Sequence, residues 1–230
     1  MSVLWIVLAI VAAQRLAELV YARRNARRLL DRGGVEAGAS HYPLVVLLHA
    51  AWLTSMAVVV PPQTQPNWWL LALYALLQPL RLWTIASLGP YWTTRIVTLD
   101  GAPLVTSGPY RYLRHPNYAV VCAEIAILPL AFGAFGVAVV FSILNAALLW
   151  HRVRVEERAI EGRRLLGGQG SREMKRSRLV PVLLLLAFVG LSMLLSARFA
   201  LGQPSLYWLV GIACVCAMLA IAALEEKSEE

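Results

Sequence analysis

The sequence predicts an all-α fold, a polytopic integral membrane bundle of helices, and three observations carry that prediction. Of the 230 residues, 59% are hydrophobic and only 15% are charged, a balance outside the range of water-soluble domains. The apolar residues gather into seven runs, at residues 2–22, 43–61, 67–88, 117–131, 133–152, 179–198 and 205–224. The basic residues alternate with them: residues 23–32 hold five, 95–114 three and 152–178 nine, which is 17 of the 21 Lys and Arg. The loop 61–68 has none and the loop 198–204 only Arg198. The positive-inside rule then sets the N-terminus outside and the basic connections and C-terminus in the cytoplasm. The formal net charge of +8 reflects membrane orientation and not nucleic-acid binding.

The first run lacks a basic leader, and Gln14-Arg15-Leu16-Ala17-Glu18 offers no small-residue cleavage site, so it is expected to be a retained span. Arg15 and Glu18, three apart, share a helical face and can pair. His41-Tyr42-Pro43 opens the second span, with His49 two turns deeper as a candidate contact to a ligand. A lone histidine on an apolar helix is more often hydrogen-bonded filler. The loop Pro61 to Trp69 is a tight connection ending in an interfacial aromatic anchor. In the third span Arg81, with Gln78 beside it, has no local acid and needs a partner from another helix or a ligand. An ionisable group at a span centre costs about 2.5–3.5 kcal/mol.

Between Tyr91 and Gly108 the apolar residues Ile96, Val97, Leu99, Leu104 and Val105 suggest a short hairpin or an amphipathic interfacial segment. Then comes Ser107-Gly108-Pro109-Tyr110-Arg111-Tyr112-Leu113-Arg114-His115-Pro116-Asn117-Tyr118, where glycine and two prolines break the helix between apolar spans. This loop offers guanidinium, imidazole, phenol and backbone N–H groups to a ligand at the membrane surface. The short fourth span and the fifth form a helical hairpin turning at Pro129 and Gly133-Ala134-Phe135-Gly136. Glu124 lies about 9 Å deeper than Tyr118 along a helix. It either neutralises Arg81 or Arg15 or faces a substrate.

After the fifth span, His151-Arg152-Val153-Arg154-Val155-Glu156-Glu157-Arg158 alternates charge at helical spacing, pairing Arg152 with Glu156 and Arg154 with Glu157 on an emerging helix. The hairpin should return this helix to the face that carries Arg114 and His115, so that the two polar clusters converge. Gly162 to Ser177 is a polar linker before the last two spans. Cys122, Cys214 and Cys216 all lie in apolar stretches, so no disulfide and no metal is expected.

The loop Gly108 to Tyr118, followed after a hydrophobic hairpin by Arg154-Val155-Glu156-Glu157, resembles the isoprenylcysteine carboxyl methyltransferase family over about residues 81–161. Those are integral membrane enzymes that use S-adenosylmethionine without a soluble Rossmann domain. Gln14 to Leu19, Arg23-Arg24-Asn25 and His41-Tyr42-Pro43 look like a bacterial branch associated with methylation of polyketide-derived phenolic or pyrone lipids. Two departures stand out: Val120 occupies the position of a glycine in the eukaryotic pattern, and residues 162–177 lack the tyrosine-containing tail of many relatives.

The resemblance implies a five-helix methyltransferase core over 1–161, a linker at 162–178 and a two-helix transmembrane extension at 179–230, in a bacterial inner membrane. It also implies S-adenosylmethionine at the cytoplasmic side, held by Tyr110, Leu113, His115, Tyr118, Glu156 and Glu157. Arg114 would orient the acceptor oxyanion or the cofactor carboxylate. The acceptor would be a lipophilic small molecule from among the membrane lipids, a phenol or pyrone hydroxyl, with Arg81 and His49 on the acceptor side and Glu124 as a base. Isoprenylated cysteine is the alternative acceptor. Membrane sterol reductases using NADPH resemble the family's C-terminal region, although the small size and the short Arg114-His115-Pro116 cluster argue against them. A non-enzymatic transporter would instead use Arg15, Glu18, Arg81 and Glu124 to line a path.

Overall fold

The computed structural model describes residues 2–39, 42–102 and 105–166. Five helices build it: α1 (Val3–Asp31), α2 (Tyr42–Val59), α3 (Trp68–Leu88), α4 (Pro116–Ala131) and α5 (Phe135–Leu166). α1, α2, α3 and α5 contain segments long and apolar enough to cross a membrane, while α4 is shorter, at 16 residues. The chain is thus an all-α membrane bundle. The two C-terminal spans and most of the expected linker lie outside the described residues.

Local chemistry sets the helix ends. Asn67 caps α3, its side-chain oxygen accepting from the backbone N–H of Trp69 at 3.1 Å and of Leu70 at 3.2 Å. Pro116 stands in the first turn of α4, where a missing N–H leaves no intrahelical bond unmade. The α4–α5 hairpin turns through Gly133, whose φ of +70° suits glycine, and Ala134 N–H bonds back to Pro129 O at 2.9 Å.

α4 is the central element. It lies between α3 and α5, and twelve of its sixteen residues are buried, among them Ile125, Ile127 and Leu128. The neighbouring helices turn apolar residues outward, such as Ile10 and Leu16 on α1, Leu47 on α2, Leu76 on α3 and Ile143 on α5. These faces suit lipid. Lipid tails are as apolar as leucine, so no hydrophobic drive holds the helices together, and packing and polar ties must do it.

Two expectations need correction. α1 does not stop at residue 22 but runs on to Asp31, because Ala22, Ala26 and Leu29 recur at helical spacing and give that extension a face to bury. As expected of an emerging helix, α5 continues past residue 152, unbroken to Leu166. The segment after Tyr91 makes no local hairpin. Its strand β2 (Ile96–Thr98) pairs antiparallel with β1 (Val35–Ala37), which comes from the α1–α2 connection, in the register Glu36 opposite Val97. A second tie supports this ribbon: Arg95 Nη1 bonds Glu36 Oε2 at 2.8 Å, with the Arg95 guanidinium 4.8 Å from the centre of the Tyr42 ring. Replacing Asn67 with Ala should lower unfolding stability in detergent by about 1 kcal/mol, the usual worth of such a cap. Thermal unfolding followed by circular dichroism checks it.

Candidate active site

The polar loop is fixed by a close approach. Gly108 has φ +57°, and a Cβ there would fall 2.2 Å from Ser87 Oγ and 3.2 Å from Trp83 Nε1, so the backbone lies flat against the end of α3. Residues Gly108–Arg111 form a 3-10 turn, and the N–H groups of Tyr112 and Leu113 both bond Pro109 O at 3.1 Å. Tyr110 is buried beneath the turn. Burial, and after it the nearby Glu156 carboxylate, push its phenol above the ordinary tyrosine range, which keeps it a neutral hydrogen-bond donor. Leu113 is half-buried and Arg114 exposed at the lip.

The hairpin brings the last part of α5 against this loop, and Tyr118 is where they join. Its hydroxyl donates to Glu156 Oε2 at 2.5 Å and accepts from Arg152 Nε at 2.8 Å. Arg152 Nη2 donates in turn to Thr94 O at 2.6 Å. The His115 ring stacks on the Tyr118 ring, with centroids 5.2 Å apart and planes 14° from parallel. Toward the surface the contacts loosen. His115 Nδ1 is 3.9 Å from Glu156 Oε2, His115 Nε2 is 4.0 Å from Glu157 Oε1, and Arg114 Nη1 is 3.5 Å from the same oxygen. Distances of this kind, at or beyond the limit of a direct hydrogen bond, let a ligand's polar groups insert. Arg152 Nη1 and Asn117 Oδ1 are buried here, a donor and an acceptor with no hydrogen-bond partner among the described residues.

Arg152 is the residue that sequence reasoning missed. Spacing pairs it with Glu156 on a solvated helix, but it is 5% exposed and turned inward to Tyr118 and Thr94. Arg154 also differs from expectation, its guanidinium lying 3.8 Å from the centre of the Trp150 ring. The usable signal was position: Arg152 is one turn before Glu156 and shares its face.

A second polar group lies deeper. Glu124, 1% exposed, accepts at Oε2 from Arg15 Nη2 at 2.7 Å and Arg81 Nη1 at 2.8 Å, and at Oε1 from Gln78 Nε2 at 3.1 Å. Arg81 also gives Nε and Nη2 to the two oxygens of Glu18, both at 2.6 Å, and Arg15 reaches Glu18 at 2.9 Å. Gln14 bridges Glu18 and Gln78. His49 is within electrostatic reach of Arg15, Arg81 and Glu124, and its Nδ1 bonds Val45 O at 2.9 Å. So Tyr110, Leu113, Arg114, His115, Tyr118, Glu156 and Glu157 gather at the helix ends. Arg81 and Glu124 meet in a separate layer, Glu124 lying about 9 Å further along α4 than Tyr118, with His49 on α2 within electrostatic reach of both.

A model of the isoprenylcysteine carboxyl methyltransferase family matches residues 70–162, from α3 through the loop to α5. Over 161 residues the chain is 40% identical to the uncharacterized protein YpbQ of Bacillus subtilis strain 168, a match covering 68% of this chain and 96% of that protein. No solved structure matches.

Tyr118→Phe removes the hydroxyl that Arg152 and Glu156 share, leaving buried Arg152 short of a second partner. It should destabilise the protein by about 1–3 kcal/mol. Phe at Tyr112, which is exposed, should change nothing, and thermal unfolding of the two variants side by side checks the contrast.

Proposed function

The chain belongs to the isoprenylcysteine carboxyl methyltransferase family, and from that membership we propose that it is an integral membrane O-methyltransferase using S-adenosylmethionine at the cytoplasmic leaflet. Its acceptor is a lipophilic phenol or pyrone hydroxyl. The observation that carries the reading is the meeting of Arg114, His115 and Tyr118 with Glu156 and Glu157, two segments about forty residues apart in the chain.

The side chains present fit the adenosyl cofactor. Two carboxylates suit an ammonium and ribose hydroxyls, while the unpaired Arg152 Nη1 and the loop backbone suit a carboxylate. S-adenosylmethionine bound there would supply an electrophilic methyl carbon, open to in-line attack by the acceptor oxygen with the sulfur leaving as a neutral thioether. The protein's part is alignment and exclusion of water. Tyr118, braced by Arg152 and stacked on His115, holds the cleft wall. Glu156 and Glu157 orient the cofactor, and Arg114 at the lip steadies the acceptor oxygen as an anion.

Glu124 and Arg81 serve as a tie between helices. The oxygens of Glu124 already accept from Arg15, Arg81 and Gln78, and all three Arg81 nitrogens are engaged, which supports this role over base catalysis or acceptor binding. His49, with Nδ1 held by Val45, stays on the acceptor side of the same layer. Without a base at Glu124 the favoured acceptor is a hydroxyl acidic enough to ionise in water, as an enolic pyrone is.

Three measurements test the proposal. Purified protein given S-adenosylmethionine labelled in its methyl group should transfer label to an alkylpyrone. Transfer to an S-prenyl cysteine carboxylate instead would identify the other acceptor. Arg114→Ala should lower kcat/KM by at least about 100-fold while leaving the unfolding transition in place. Glu124→Gln should lower stability by about 3–5 kcal/mol, as expected when one member of a buried charge group is removed. Turnover per folded molecule should then stay within a few fold, and a selective loss of turnover at pyrone substrates would restore Glu124 as a base.

A further inference from the structure

The extension of α1 beyond residue 22 has two faces of opposite character. One is docked. Ala22, Asn25, Ala26 and Leu29 are buried, Asn25 Nδ2 donates to Trp92 O at 2.9 Å and Gly89 O at 3.1 Å, and Tyr21 stacks on Trp92 with centroids 5.8 Å apart. The other face carries Arg23, Arg24, Arg27 and Arg28, all exposed. No ion pair joins any of these four to a described residue, and the only acid within residues 23–32 is Asp31, against five arginines.

This face continues a lipid-facing one. Leu16 and Val20 are 64% and 61% exposed, and at helical spacing they fall with Arg23 and Arg27 within an arc of about 60°. The helix has 29 residues, hence a length of about 43 Å against a hydrocarbon core of about 30 Å. With Val3 near one edge of that core, the stripe changes from apolar to basic at the depth where acyl chains give way to phosphates. A plain topology signal needs positive charges near the span in any arrangement. Here four guanidiniums are held on one docked helix, Arg23 and Arg27 continuing the apolar stripe and Arg24 and Arg28 beside them on the same exposed side.

We propose that Arg23, Arg24, Arg27 and Arg28 form a binding surface for anionic phospholipid headgroups. Guanidinium forks bind phosphate oxygens of a lipid whose chains run along Leu16 and Val20, and the net positive charge of the stripe selects anionic over zwitterionic headgroups. The surface stands independently of the methyl-transfer reading. It sits beside that site, because the backbone of Gly89 to Thr94 is held by Asn25 at one end and by Arg152 at the other.

The test uses the full chain in detergent, titrated separately with phosphatidylglycerol and phosphatidylcholine of identical acyl chains, with bound lipid counted by native mass spectrometry. The wild type should prefer phosphatidylglycerol by at least tenfold, and the preference should shrink steeply between 0.1 M and 1 M salt, about the range over which exposed charges become screened. Each arginine removed should weaken the preference about fivefold, so R24Q/R27Q should lose most of it. R24K/R27K, which keeps the charge, should retain a measurable part. Equal binding of the two lipids by the wild type overturns the proposal, and so does an unchanged preference in a folded R24Q/R27Q protein. If the glutamine variant fails to fold, the wild-type comparison and its salt dependence still decide.

Discussion

The architecture depends on Glu124 lying between two guanidinium groups inside an apolar bundle. No water is available there to solvate a lone charge, and Arg15, Glu18, Arg81 or Glu124 alone would each cost about 2.5–3.5 kcal/mol at a span centre. Together they are neutral, and their hydrogen bonds connect α1, α3 and α4. Because lipid supplies no hydrophobic drive between helices, this group also fixes the depth at which those three helices pack. A helix that slid by one turn would move its charge about 5 Å away from its partners.

That registration is what delivers the outer cleft. Tyr118 and Glu124 share α4, so anchoring Glu124 sets how far Tyr118 reaches toward α5. Tyr118 then meets Arg152 and Glu156, and Arg152 extends the connection to Thr94 in the segment leading to β2. Three stretches of chain far apart in sequence thus form one wall. The inner contacts are short hydrogen bonds between part-buried groups around the buried Arg152, whereas those among Arg114, His115 and Glu157 run from 3.5 to 4.0 Å at the surface. A site that is rigid at its base and open at its lip suits a cofactor that must be exchanged at every turnover.

Much of this was legible in the residues. Glycine and proline at 108, 109 and 116 marked the loop, a short fourth span followed by glycines marked the hairpin, and together they implied that Arg114 and His115 would approach Glu156 and Glu157. Unpaired charges in apolar runs implied neutralising pairs, Glu18 with Arg15 and Glu124 with Arg81 or Arg15, whereas in the bundle each carboxylate meets both guanidiniums. What sequence hid was non-local. β1 is three residues long with too little alternation to signal a strand, and its partner lies some sixty residues on. Hydropathy ended α1 at its first arginines, although the spacing of Ala22, Ala26 and Leu29 carries the helix on. Arg152 sits in a run of charges that reads as solvated, and only the tertiary return of α5 turns it inward.

The central claim is that the Gly108–Tyr118 loop and the Arg152–Glu157 stretch of α5 enclose one adenosyl cofactor. Ultraviolet crosslinking of labelled S-adenosylmethionine to the membrane-embedded protein, followed by peptide mapping, tests it most directly. Label should appear in peptides from both segments and disappear with excess S-adenosylhomocysteine. Label confined to other helices, or uptake that the excess product does not displace, would contradict the account.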